Sequence, residues 1–377
     1  MSEINTFQIA SQIKFGFGAI QTLGSLAQDH GIKHAFLVTD PGLMKAGVHE
    51  MIITALRDSE IKTTIFSEVE ANPSIHTTTN AFQVYTEEAC DGVIALGGGS
   101  PMDAAKGIAI LATNPGTIHE YVGIGKVKND PAPLIAIPTT VGTGSEVTTF
   151  AVLTDTTQRR KVVIGSPRIA PAAALLDPDL VASLPQHLVA YTGMDALTHA
   201  VESVVSNFAT AFTDALALQA IRMVSFHLPA AVIDKSQDAR AELLYASTMA
   251  GMAFSFARTG LVHGMAHPLS SYYNLQHGLA NAILLCHVMD FNAPTCAEKL
   301  VKVAEAMGQE ATPEAAIKAI QNLGKKVGIP EKLSEAGVTS EFIPLMAQDA
   351  FNSGNAQVVN PRKPTLEEVL SLYNAAL

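Results

Sequence analysis

The chain has 377 residues, with 24 basic against 35 acidic side chains and an apolar share of 48%. That length suits two domains, the apolar share excludes a disordered chain, and a formal charge of −11 argues against a nucleic-acid partner, which needs a basic face. Three cysteines without a CxxC pair (Cys90, Cys286 and Cys296) exclude a disulfide framework and fit a reducing compartment.

In chain order, the opening "MSEINTFQIA" lacks the basic and apolar regions of a secretory signal. "HAFLVTD" (34–40), "KTTIFSEV" (62–69), "DGVIALGG" (91–98) and "PLIAIPTT" (133–140) then each read as a short buried strand. The segments between the first three are long enough for crossover helices, as at 42–58, which is the pattern of a parallel α/β sheet. "TTFAVLTD" and "KVVIGS" flank "TTQRR" as a hairpin, and "AAALLDP" adds a further strand. The longest basic run, "RRK" at 159–161, falls at this hairpin. After Pro185 the stretches 186–206, 209–233, 238–257 and 279–288 carry apolar residues at helical spacing, and strand-like alternation disappears. The expected division is an α/β domain over 1–184 and an all-helical domain over 185–377, with a cleft between them. No stretch approaches ~18 uninterrupted apolar residues, so no membrane span is expected and the expected setting is the cytoplasm.

Within the first domain, "IALGGGSPMDAAKG" follows a strand and opens a helix. Gly97, Gly98 and Gly99 remove side chains where a ligand must come close. Ser100 is expected to cap the helix, with Pro101 at its first position and Asp103 three after the cap. The helix N–H groups would face an anion such as a pyrophosphate. The dinucleotide fingerprint GxGxxG and the Walker loop are both absent. "PTTVGTGSEVT" (138–148) follows another strand and should converge on the same sheet edge. Asp40 closes the first strand, either as a ribose-binding acid favouring NAD over its phosphorylated form or as a turn former in "TDPG".

In the second domain, "GMDALTHAVE" places Asp195 and His199 one helical turn apart among core-like residues. Unpaired charge is costly to bury, so a hydrogen-bonded pair or a metal ion must compensate it. His263 and His267 are also four apart, and His277 follows a loop-like stretch. Three imidazoles and one carboxylate suit a divalent transition metal, although spacing alone leaves open which histidines ligate it. His187 and His287 read as bystanders, and Glu202 has no evident role.

Together these residues resemble the iron-containing (group III) alcohol dehydrogenase family. "LLDPDLVASLPQHLVAYTGMDALTHAVE" and "GLVHGMAHPLSSYYNLQHGLAN" carry most of the resemblance, and "GGGSPMDAAK" and "PTTVGTGSEVT" agree in order and spacing. The resemblance implies a dinucleotide-binding α/β domain followed by an all-α domain, the fold shared with dehydroquinate synthase. It implies Asp195, His199, His263 and His277 as metal ligands and His267 as a catalytic histidine beside the nicotinamide. Asp40, Gly97, Gly98, Gly99, Ser100, Asp103, Thr139, Thr140 and Lys161 become cofactor-binding residues. The implied cofactors are NAD and a divalent metal, Fe2+ before Zn2+ or another ion, and the implied assembly is a homodimer or larger. The implied reaction is hydride transfer between a short primary alcohol or its aldehyde and nicotinamide, with the cation as Lewis acid. Phe150, Phe254 and Arg258 are the expected substrate-lining residues, and Arg258 raises an anionic substrate as an option. Gln276 and Cys286 stand where relatives often carry prolines. The competing readings are a zinc-dependent polyol dehydrogenase, a dehydroquinate-synthase-like lyase, a metal-dependent hydrolase and a non-catalytic nucleotide-binding protein.

Overall fold

In residues 34–38, 92–97 and 134–138 every residue is buried, and successive side chains enter different cores. Ala35, Leu37, Ile94, Leu96, Ile135 and Ile137 pack on one side, with Leu23, Leu26, Ile52 and Leu56. Phe36, Val38, Val93, Ala95, Leu134 and Ala136 pack on the other, with Ala81, Tyr85, Met102 and Ile108. A strand apolar at every position is buried on both faces, as in a parallel sheet covered by helices.

The computed structural model describes residues 6–157 and 160–377. Its strands are β1 (Gln12–Phe15), β2 (His34–Val38), β3 (Lys62–Phe66), β4 (Gly92–Gly97), β5 (Gly123–Ile124), β6 (Leu134–Pro138), β7 (Phe150–Asp155), β8 (Arg160–Gly165) and β9 (Ala173–Leu176). Six of them form one sheet in the order β1-β9-β6-β4-β2-β3, every pair parallel. The other three form a small sheet in which β7 and β8 are the expected antiparallel hairpin. The tip of that hairpin, Gln158 and Arg159, and with it part of the basic run, lies outside the described residues.

Helices α1 (Leu23–Asp29), α2 (Pro41–Ala46), α3 (His49–Arg57), α4 (Ile75–Glu87), α5 (Gly99–Thr113) and α6 (Ile118–Tyr121) complete this region. The single helix expected over 42–58 is two, because Gly47 takes φ 73° and ends α2 in the left-handed region that favours glycine. Strand β1 was not foreseen. Its "QIKF" has no fully buried residue, so it lacks the apolar run that marks the central strands.

The second region contains α7 (Gln186–Val205), α8 (Ala211–Ile233), α9 (Gln237–Ala257), α10 (Leu261–Tyr273), α11 (His277–Ala306), α12 (Pro313–Lys326), α13 (Ile343–Phe351) and α14 (Leu366–Ala376). Helix α11 extends well past the expected 279–288, with non-helical backbone at Cys296. By length and composition alone α8 could cross a membrane. It carries Asp214 and Arg222, and Ala217, Ala220, Ile221, Val224 and Leu228 are buried where it packs on α7 and α9, as in a core helix.

Contacts divide the chain into two compact units, Gln8–Thr140 with Ser145–Ser183, and Leu184–Leu377 with residues 6 and 7 and Val141–Gly144. The stretch "PTTVGTGSEVT" is therefore shared between them: Thr139 and Thr140 belong to the α/β unit, and the next four residues to the helical one.

Candidate functional site

In the α/β unit, β2, β4 and β6 are parallel neighbours, so their carboxyl ends share one sheet edge. That edge brings together Thr39 and Asp40, Gly97 to Ser100, and Thr139 and Thr140. The chain runs from β2 to β3 in one direction and from β4 to β6 in the other, which makes this a topological switch point, where open α/β sheets bind ligands. Gly97 has φ 151°, and a Cβ at Gly98 would stand 3.1 Å from Thr140 Cγ2.

Helix α5 begins at Gly99 with Gly98 as its N-cap, and no side chain caps it. This corrects the expectation of a Ser100 cap with Asp103 completing a capping box. Glycine turns the chain into the helix earlier, and no side chain caps the first N–H groups. The Thr39 and Thr140 hydroxyls are buried and have no hydrogen-bond partner. Uncapped amides, orphaned hydroxyls and absent side chains on one edge fit a bound phosphate group.

Asp103 is instead half-buried, with its carboxylate held by other residues of the unit. Its carboxylate accepts from Ser145 Oγ at 2.9 Å and from the Val152 N–H at 3.1 Å. Lys106 donates to Ser145 Oγ, Thr148 Oγ1 and the Phe150 carbonyl at 3.0, 2.8 and 2.7 Å. Burial pushes the Asp103 carboxyl up and the Lys106 ammonium down to about 8, each opposed by the other's charge. Lys161 on β8 also acts on Asp103. This network ties α5 to the start of β7, beneath the glycine turn. Asp40 Oδ1 accepts from Leu43 N at 3.0 Å and caps α2, the turn-forming role open to it from the sequence. Phe150, half-buried at the start of β7, also belongs to this unit.

In the helical unit, Asp195, His263 and His277 place one ligand atom each within 4.8 Å of one another. They come from α7, α10 and the first residue of α11. Gly278 lets α11 approach α7: a Cβ there would lie 2.4 Å from the Tyr191 carbonyl oxygen. His199 lies outside this trio. Its ring stacks between Phe254 and His263, with centroids at 4.2 and 4.5 Å, and its Nδ1 is 3.2 Å from the Gly142 carbonyl. Burial, and then the neighbouring His263, hold its imidazole well below the ordinary value, so the ring is neutral at pH 7. His267 is half-buried and parallel to the His277 ring at 5.3 Å. Arg258 is exposed at the end of α9, its guanidinium 4.4 Å from the centre of the Phe208 ring.

Two residues without an assigned role in the sequence complete the cluster. Glu202 Oε2 lies 2.5 Å from His263 Nδ1, and its other oxygen accepts from Val262 N at 2.7 Å. A carboxylate only accepts when ionised, so Nδ1 carries the proton and Nε2 keeps its lone pair toward the trio. Asn281 Nδ2 lies 2.7 Å from Asp195 Oδ1, 3.2 Å from His263 Nε2 and 3.1 Å from His277 Nε2. Helical spacing carried a signal for both: Asp195, His199 and Glu202 follow i, i+4, i+7 on α7, and Asn281 is one turn after His277. A buried acid with two imidazole nitrogens, one backed by a second carboxylate, is the donor set of a divalent transition metal. The residues fit the group.

The Fe-containing alcohol dehydrogenase family, C-terminal, matches residues 189–377, and Iron-containing alcohol dehydrogenase matches 10–178. The chain is 42% identical over 372 residues to the 1,3-propanediol dehydrogenase of Klebsiella pneumoniae, covering 96% of each chain. It is 36% identical to the NAD-dependent methanol dehydrogenase of Bacillus methanolicus, covering 99% of this chain and 100% of the other. The crystal structure of a 1,3-propanediol oxidoreductase superposes with a TM-score of 0.97 at 41% identity and full coverage of both chains. The two matched segments together cover most of both units: the chain belongs to the iron-containing alcohol dehydrogenase family.

Proposed function

We propose that the chain is an NAD-dependent, cation-dependent alcohol dehydrogenase interconverting a short, neutral primary alcohol and its aldehyde. The observation that carries this reading is the convergence of Asp195, His263 and His277 in the helical unit. NAD is supported by the relative from Bacillus methanolicus, an NAD-dependent methanol dehydrogenase, and by the uncapped start of α5. A neutral substrate is supported by Arg258, whose charge rests on Phe208 and whose side chain is exposed. Three free thiols support a reducing, cytoplasmic setting. Exposed Phe15 and Phe17, on and just after edge strand β1, support self-association.

When bound, a divalent cation supplies Lewis acidity toward a substrate oxygen, and nicotinamide supplies or accepts the hydride. Asp195, His263 and His277 would hold that cation, and His199 is the fourth residue of the proposed set. Glu202 keeps the proton on His263 Nδ1, so that Nε2 never has to lose one before ligating. Phe254 covers the His199 ring and excludes water from that side. His267, half-buried at the edge of the cluster, takes the alcohol proton toward solvent. Gly97, Gly98, Gly99 and Ser100 receive the pyrophosphate, Thr139, Thr140 and Lys161 hold the cofactor, and Asp40 addresses its ribose.

The test is anaerobic reconstitution with Fe2+ or Zn2+, followed by NADH oxidation over short neutral, carboxylated and sulfonated aldehydes. Turnover of neutral aldehydes that needs the metal supports the reading. Turnover confined to anionic aldehydes overturns the substrate class, and NADH oxidation without metal overturns the mechanism.

A further inference from the structure

Asn281 is completely buried, and its hydrogen bonding does not balance. The Asp195 carboxylate at 2.7 Å can only accept, which fixes the amide nitrogen, not its oxygen, toward the cluster. That nitrogen has two protons and lies within hydrogen-bond reach of Asp195 Oδ1, His263 Nε2 and His277 Nε2, the last an acceptor in the tautomer that leaves it unprotonated. The amide oxygen, pointing away, is buried without a partner. In that tautomer the donor is oversubscribed and the acceptor orphaned, a poor packing solution in its own right. It is understandable if the side chain serves a second state of the site.

The acceptors define that state. A neutral imidazole has one acceptor nitrogen with one lone pair, and the Glu202 contact assigns it to Nε2 in His263. The same lone pair is needed to ligate a cation, so Nε2 cannot accept from Asn281 and bind a metal at once. A carboxylate oxygen has more than one lone pair, and the bond to Asp195 survives metal binding. We propose that Asn281 stands in for the cation in the metal-free protein. Its NH2 group holds Asp195, His263 and His277 together and gives up the two imidazole lone pairs when the ion enters. Asn281 is thus a positioning residue that holds the ligands together when no metal is bound and competes with the metal. This rests on the reading that the trio binds a cation.

The experiment uses the full-length protein with Zn2+ as probe, comparing wild type with Asn281→Leu, which keeps the volume but donates nothing. Melting temperatures are measured metal-free and zinc-loaded, and zinc retention is measured by equilibrium competition with a chromophoric chelator. The expected result is a larger loss of melting temperature in the metal-free than in the loaded protein, and zinc retention tightened ~10-fold, as two displaced hydrogen bonds imply. An equal loss in both states, or weaker retention, overturns the proposal and makes Asn281 an ordinary structural residue. If metal-free Asn281→Leu does not fold, Asn281→Ala carries the same comparison with the same two outcomes. A wild-type chain that takes up no more zinc than Asp195→Ala overturns the metal reading itself, a failure separate from that of Asn281.

Discussion

The two units build their sites in opposite ways. The α/β unit offers mainly backbone: uncapped N–H groups at the start of α5, a glycine turn, and hydroxyls just after β2 and β6. The helical unit offers side chains alone, brought from three helices and separated by as many as 86 residues in sequence. A backbone site is specified by a short local segment and disturbed by added bulk. A side-chain site is specified by packing and is destroyed by removing one group.

The largest effect that sharpens this contrast is expected from Asp195→Ala. It removes the only carboxylate of the trio and should lower kcat/KM by ~1,000-fold or more through lost cation-dependent stabilisation. NADH binding, followed by fluorescence, should stay within ~2-fold because the backbone site is untouched; a parallel loss of NADH binding breaks the contrast. Glu202→Gln comes next. It keeps the shape but removes the charge behind His263, and chelator competition should show metal affinity falling ~10–100-fold, as for other residues supporting a ligating histidine. Unchanged affinity would make the Glu202 contact incidental.

Gly98→Val is the converse experiment. A β-branched side chain pressed against Thr140 should raise KM for NADH by ~10-fold, about 1.4 kcal/mol, with metal content unchanged. An unchanged KM would remove the phosphate from this edge. A last effect, on stability and not on binding, concerns the buried ammonium under the turn. Lys106 releases its proton near pH 8 in the folded chain, against 10.5 as the ordinary value. Between those values the unfolded chain binds the extra proton, so stability should rise with pH, by at most ~3 kcal/mol. Urea denaturation from pH 7 to 10 should show that slope in the wild type, and Lys106→Met should flatten it; identical slopes in the two proteins would show that other groups set the pH dependence.

Residues differ in how openly their sequence context declares them. The glycine turn at 97–99 is legible because a strand, three glycines and a helix occupy one continuous segment. Even there the exact helix start was not, since Ser100 and Asp103 make a plausible cap on paper while Gly98 enters the helix first. The Asp195 and His263 pairs announce themselves as costly groups in apolar helices. Glu202 and Asn281 do not. Glu202 meets His263 across 61 residues, and its value appears only when α7 and α10 pack together. The division of 42–58 at Gly47 was missed because a left-handed glycine inside a helical pattern looks the same as a tolerated one.

Periodicity and composition by themselves determined the two kinds of layer: runs apolar at every position become strands covered on both faces, and three-to-four spacing becomes a helical core. They also determined which segments carry groups too costly to bury alone. Only the tertiary structure decided which of those groups meet, that His199 stacks beside the trio, that Asp103 turns inward, and that Glu202 and Asn281 stand behind the ligands. The physical reason is range. Burial preference and helix or strand geometry act over a few neighbouring residues. A hydrogen bond or a shared cation requires a separation of about 3 Å, and that is set by how whole helices pack.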